Sequence, residues 1–474
     1  MFETVHPYRV LRVCALGGFF VTVLIHYPGF MSTDSVNQLM QSRSGILSDW
    51  HPPLMSLIWG GVDAIISGPF GMMMIQVGLL WAGMYLIVSQ LGIRSNWIAA
   101  VVILGSLLFF PVFTILGAVW KDIQMAGWLV LSFGLAMVCA TLRTGDDRWR
   151  WIGVLALSVL ALFLAMSMRH NAIGAAFGVA WFLGWSHLFL EWRVSVRFVL
   201  SGVVALALVG ALFALVQIQN RAIADTHRSV EGFIFIFDIA GIAVKRGEIH
   251  ALDRLKAEGL IKVKDLTIGT LKRHYRPRYH RNTMRVMKFD EASVAPLRRI
   301  WLDTVLRYPI AYLAHRWEVF KEIVGLTHGR DPRLNPDTRL PWMRVWMEPL
   351  PPHNLGGPAA VAKRLRHDYK LSALQKRAKE FFDRLALSVI YRPYVFLILG
   401  FITLAVGFVY LRRRMGIVFF LSVSGIGYQA TIFLAAGATD YRFSHWMVLM
   451  SWLSALVIAA LLVERQRRSG ELKA

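Results

Sequence analysis

Apolar residues gather in blocks near 20 residues long, separated by short polar turns. The clear blocks run over 10–28, 70–91, 97–118, 123–142, 151–168, 172–190, 198–217, 389–411, 416–438 and 446–463. No periodic polar face of the kind a soluble helix carries interrupts them. A helix needs roughly 20 apolar residues to cross the hydrocarbon core of a bilayer. No water is present there to bond a free N–H or C=O, so each block must satisfy its own backbone as a helix. The pattern predicts an all-α polytopic membrane protein with about ten transmembrane helices.

A further apolar block, 51–67, is short, opens on His51-Pro52-Pro53 and carries Asp63. The basic loops decide its status. If it does not cross, then Arg9/Arg12, Arg94, Arg143/Arg148/Arg150, Arg193/Arg197, Arg412 to Arg414 and Arg465/Arg467/Arg468 all share one side. The positive-inside rule makes that side cytoplasmic. If it crosses, every later loop changes sides and Arg412-Arg413-Arg414 faces outward. We therefore expect a juxtamembrane helix in the first outer loop, with Asp63 on its wet face and both termini in the cytoplasm. The start, Arg9 and Arg12 before the apolar run Val13–Ile25, is shaped like a signal peptide. The His26-Tyr27-Pro28-Gly29-Phe30 that follows is no small-x-small cleavage site, so it reads as a retained first span.

Three parts result: a seven-span module over 1–217, an outward-facing domain over 218–388, and a three-span module over 389–474. The middle part has its own apolar runs, Phe233–Ala243 and Trp301–Val324, and is expected to be mostly helical with an irregular Pro/Gly-rich stretch at 331–358. It holds 32 Lys and Arg against 18 Asp and Glu, a net +14. Long domains cross membranes regardless of charge, so the topology stands.

Composition agrees: 56% of the 474 residues are hydrophobic, and 17 Trp and 13 Tyr suit two interfacial belts. A net charge of +23 on a soluble chain would suggest nucleic acid. Spread over the loops of a membrane protein, it points instead to anionic headgroups or phosphorylated substrates, and no nucleic-acid partner is expected. The two cysteines, Cys14 and Cys139, both fall in predicted spans, which excludes a disulfide framework.

With that topology the outer turns are unusually polar. The first holds Asp34, Asn37 and Gln38, then Trp50-His51-Pro52-Pro53; later ones read Trp120-Lys121-Asp122, Arg169-His170-Asn171 and Asp440-Tyr441-Arg442-Phe443. Taken singly, each has a structural role to fill. Asp34 can cap a helix, Lys121 and Arg442 can snorkel to headgroups, Arg169-His170-Asn171 can hinge two spans, and His51 can set a turn. Together they place three cations, Lys121, Arg169 and Arg442, and several acids at one membrane surface. Membrane-edge ionisable groups are functional candidates by default. The combination suits a lipid-linked phosphate. Cations stabilise the charge on the departing phosphate, and a carboxylate takes the proton of an attacking hydroxyl.

In the order and topology of these residues the chain resembles the GT-C superfamily of membrane glycosyltransferases, which use polyprenyl-phosphate sugar donors on the outer or luminal side. A first-loop acid (Asp34), a His-Pro-Pro-Leu segment opening a juxtamembrane helix (His51–Leu54), a second acid after the third span (Asp122) and a large outer region carry the resemblance. A bacterial branch of GT-C-like membrane proteins also shows a first-loop Asp with a downstream Gln, then Trp-His-Pro, Trp-Lys-Asp, Arg-x-Asn and a late Asp-x-Arg-Tyr. This chain has Asp34 with Gln38 and Gln41, Trp50-His51-Pro52, Trp120-Lys121-Asp122, Arg169-His170-Asn171 and Asp440-Tyr441-Arg442, with Phe443 in place of Tyr. The resemblance covers 1–220 and, more loosely, 389–474.

The resemblance implies sugar transfer to a cell-envelope glycan or lipid acceptor at the outer face of a bacterial cytoplasmic membrane. Asp34 and Asp122 would be the catalytic acids. His51, Lys121, Arg169, His170, Asn171, Asp440, Arg442 and Gln38 would bind substrate, and membrane lipids would surround the donor. No cofactor beyond the lipid-linked donor is required. Ser35 follows Asp34 where the family often has a second acid, so a divalent cation stays open; Asp34 and Asp122 would hold one only if they meet. Two rivals remain. An O-antigen-type polymerase or ligase would lean on the basic run Arg276–Arg281. A transporter or flippase would place polar groups at mid-membrane in repeated halves, and no repeat is visible.

Overall fold

The computed structural model describes residues 9–142, 147–188, 190–227, 230–247, 250–263, 266–277, 283, 287–288, 290–327, 372–385 and 388–471. The 331–358 stretch, Arg143, and Arg278 and Arg281 of the basic run lie outside these residues. The described residues form helices and turns, with three isolated β-bridges and no strand.

The order begins α1 (Arg9–His26), α2 (Thr33–Ser44), α3 (Leu54–Ile65), α4 (Phe70–Ser89), α5 (Asn96–Leu107) and a single turn, α6 (Phe110–Phe113). It continues with α7 (Lys121–Leu142), α8 (Arg148–Met168), α9 (Ile173–His187) and α10 (Val194–Ile223). The 218–388 segment holds α11 (Val230–Arg246), α12 (His250–Ala257), α13 (Ile268–His274), α14 (Glu291–Arg307) and α15 (Pro309–Ile323). Then come α16 (Ala373–Leu385), α17 (Pro393–Val409), α18 (Ile417–Ala435) and α19 (His445–Glu471).

Among the described residues seven helices are long and apolar enough to cross a membrane: Arg9–His26, Phe70–Ser89, Lys121–Leu142, Arg148–Met168, Val194–Ile223, Arg414–Ala435 and Tyr441–Ser469. The other three predicted spans contain the shorter helices α5, α9 and α17, of 12, 15 and 17 residues. The largest difference from expectation lies in 97–118. Its helix stops at Leu107, and Pro111, which has no N–H to donate, admits only one further turn. The chain then runs on to Trp120 outside any helix. Phe30 donates to the Gly117 carbonyl (2.8 Å) and accepts from the Val119 N–H (2.8 Å), which ties this segment to the end of α1. A Cβ on Gly117 would lie 2.3 Å from the His26 side chain, so the close approach requires glycine.

The 51–67 block forms α3, of 12 residues. At 1.5 Å per residue it is about 18 Å long, as is α5, shorter than a core of about 30 Å. Asp63 does not simply face water: Arg43 donates to both its oxygens (2.7 and 2.9 Å), and the Gly68 N–H adds a third bond (2.6 Å), which locks α3 to α2.

α4 packs on α1 and α7, α7 on α8 and α9, α9 on α10 and α18, α18 on α17 and α19, and α19 back on α5. The C-terminal helices thus complete the same bundle that the N-terminal ones begin. At one pole Arg414 donates to the Gly92 carbonyl (3.0 Å), and Glu464 accepts from the Arg94 N–H (3.3 Å). The polar turns around Asp34 form the opposite pole. α9 and α18 cross so closely that a Cβ on Gly174 would sit 2.1 Å from the Gly427 carbonyl oxygen. Gly174→Ala is expected to cost roughly 1–3 kcal/mol through this overpacking, read as a lowered Tm in detergent. An unchanged Tm would mean that the two helices do not cross here.

Candidate active site

Local bonds set the floor of the site. Ser32 and Ser35 form a reciprocal capping box at the start of α2, satisfying helix N–H groups that have no internal partner. Ser35 also donates to the Val119 carbonyl (2.7 Å), and Trp120 Nε1 donates to Ser32 Oγ (2.7 Å). These bonds place Asp34, in the first turn of α2, over the start of α7, which carries Lys121 and Asp122. The loop between α2 and α3 is stitched sideways as well: the Leu47 N–H donates to the Asp225 carboxylate (2.8 Å), and the Asp49 N–H donates to the Thr226 carbonyl (3.2 Å). That brings Trp50 and His51 beside the end of α10.

Asp34 and Arg442 meet at 2.7 Å although 408 residues separate them. Arg442 also contacts Asp440 (2.9 Å) and lies over the Trp120 ring, 4.8 Å from its centroid. His51 Nε2 stands 3.8 Å from the other Asp34 oxygen, and its Nδ1 is 2.5 Å from Lys121 Nζ. When Lys121 is an ammonium, which only donates, Nδ1 is the acceptor and Nε2 carries the proton on the Asp34 side. Burial alone would raise the Asp34 carboxyl, but Arg442, His51 and Lys121 hold it well below the usual carboxylate range. Burial and the Lys121 charge push His51 down to about 4, against the pull of Asp34. Burial, Lys121 and His51 push His170 down to about 3. Near neutral pH the floor therefore holds an ionised acid, two neutral imidazoles and the guanidinium groups of Arg169 and Arg442, with the Lys121 amine beside them.

Above it opens a cavity of about 1540 Å³. Asp34, His51, Lys121, Arg169, His170, Asn171, Asp440 and Arg442, all singled out in the sequence, line it. Asp122 and Gln38 do not; both are buried behind the wall. Asp122 is ion-paired with Arg169, whose guanidinium also lies over the Phe443 ring at 4.8 Å. Both proposed acids are thus engaged by arginines. Among the described residues no group of three or more His, Cys, Asp or Glu is placed to hold a metal ion. Lys121 differs from the two arginines: its one hydrogen bond among the described residues goes to neutral His51.

The 218–388 segment contributes elements that sequence reasoning missed. Asp238 on α11 is fully buried and accepts from Trp301 (2.8 Å), His315 (3.0 Å) and Arg316 (2.7 Å); Tyr275 closes the network on His315 at 2.7 Å. Arg316, also fully buried, donates to the Ala436 carbonyl (2.7 Å), just where α18 ends and the strip leading to Asp440 and Arg442 begins. The Phe233 ring packs against that strip, where a Cβ at Gly437 would come within 2.0 Å of it. The lone acid in the apolar run Phe233–Ala243 was the one available signal. No family model, curated protein or solved structure matches the chain.

Proposed function

We infer that this protein is a membrane glycosyltransferase. It takes a sugar from a polyprenyl-phosphate donor and passes it to a glycan or lipid acceptor at the outer face of a bacterial cytoplasmic membrane. Its ten apolar helices are then ten crossings with both termini inside, the three short ones spanning with the help of the turns that extend them. The observation that carries the inference is Lys121. Its amine lies at the cavity floor with His51 as its one hydrogen-bond partner among the described residues; an anion from outside would hold it protonated, and it stands in the same floor as a carboxylate able to accept a proton.

In this reading the donor phosphate sits against Lys121 and Arg442. An acceptor hydroxyl oxygen attacks the anomeric carbon, the bond from that carbon to the phosphate oxygen breaks, and polyprenyl phosphate leaves with the electron pair. The hydroxyl proton passes to Asp34. A carboxylate held far below its usual range is a weak base, and donor binding corrects this. Phosphate charge at Arg442 and Lys121 offsets the cations that depress Asp34, so its basicity rises once substrate is in place. Asp122 has a positioning role, holding Arg169 toward the cavity.

Lys121→Met is expected to weaken binding of bare polyprenyl phosphate by about tenfold or more, the value of one charge-assisted contact. Isothermal titration in detergent measures it, with Arg43→Met, remote from the cavity, as control. Equal affinities for the Lys121 variant and the wild type would remove the basis for a lipid-phosphate substrate.

A further inference from the structure

Beyond the charged floor, the cavity wall has a second chemistry. Asn220, near the end of α10, lines the cavity and is only 4% exposed. Neither its amide nitrogen nor its amide oxygen has a hydrogen-bond partner among the described residues. His170 Nε2, on the same cavity, is likewise buried without a partner. An unpaired buried amide is costly and rare in native proteins, and it calls for an explanation such as a ligand. The same cavity is lined by Trp50 and Phe233, whose rings are 6.2 Å apart and inclined at 52°.

We propose that Asn220, His170 and Trp50 form a carbohydrate subsite next to the phosphate-binding floor. A sugar ring matches this set in each part. Vicinal hydroxyls both donate and accept, so they satisfy the NH₂ and the C=O of one amide together. A hydroxyl can donate to or accept from the neutral imidazole of His170. The C–H face of a pyranose is apolar and lies against an indole. A lipid tail would leave the amide unpaired, and a second phosphate would satisfy its nitrogen but not its oxygen. The subsite deepens the transferase reading and rests on it for the neighbouring phosphate. Its sugar belongs either to the donor or to the acceptor.

The test uses full-length protein in detergent and three variants, Asn220→Ala, Trp50→Leu and Lys121→Met. Binding is measured to bare polyprenyl phosphate, to the same lipid carrying glucose, mannose, galactose or N-acetylglucosamine, and to an array of immobilised glycans. Wild type is expected to prefer at least one sugar-bearing lipid over the bare one, or to bind a glycan, by about tenfold. If the sugar is the donor's, Asn220→Ala and Trp50→Leu erase the preference among lipids and leave bare-lipid affinity unchanged. If it is the acceptor's, they abolish glycan retention and leave all lipid affinities alone. Thermal unfolding separates this from a structural role. Because the Asn220 amide is unpaired in the empty protein, Asn220→Ala should hold or raise the Tm while sugar binding falls. No sugar preference in wild type, or variants that bind every sugar as wild type does, overturns the subsite. Glycan binding that persists while bare lipid phosphate fails to bind would keep the subsite and overturn the lipid-phosphate donor.

Discussion

Asp34→Asn should reduce sugar transfer by about 10²–10⁴-fold, the usual contribution of a positioned general base, with Tm nearly unchanged. Asparagine keeps the shape of the carboxylate but takes up no proton. Arg442 retains its contact with Asp440, so the floor keeps its frame. Transfer of radiolabel from a polyprenyl-phosphate sugar to envelope extract, by purified protein, measures the effect. Asp122→Asn should differ in kind. It frees Arg169 from its partner, so the loss should appear more in KM for the donor than in kcat. Full activity in Asp34→Asn with normal expression would rule Asp34 out as the base.

The largest stability effect is expected far from the floor. Asp238→Ala leaves Arg316 and His315 buried without their acid. Breaking a buried ion pair from one side costs about 3–5 kcal/mol, enough to lower expression and Tm sharply. Replacing the pair together, as Asp238→Leu with Arg316→Met, should recover much of that loss, because an apolar pair needs no compensation. The double variant still lacks the bond from Arg316 to Ala436. It should therefore be folded but slow, with the strip that carries Asp440 and Arg442 no longer held from above. Thermal unfolding and transfer assays on the same preparations separate the two effects. A double variant as active as wild type would show that Arg316 serves stability alone.

Much of this organisation could be seen in the residue pattern, for one physical reason. A bilayer imposes a length and a composition on whatever crosses it, and the ten apolar blocks each contain a helix. The polar turns could be found because charge at a membrane edge is conspicuous, and eight of the ten chosen residues line one cavity. What could not be read was pairing. That Asp122 turns to Arg169, and Arg442 to Asp34, depends on helix packing that no local spacing encodes. The break after Leu107 was hidden because Phe109-Phe110-Pro111-Val112-Phe113 is as apolar as a span, and hydropathy does not register a missing N–H. Asn220 carried no signal, since one amide near a helix end is unremarkable until its surroundings are known.

The contact between Asp34 and Arg442 also orders events during synthesis. Asp34 is made 408 residues before Arg442, and α3 to α18 are made between them. Until the turn between α18 and α19 is made, Asp34 lacks the guanidinium it pairs with in the folded protein. That turn supplies Asp440 and Arg442 together, so the charged floor is completed in a single step, and a chain that stalls before it lacks both.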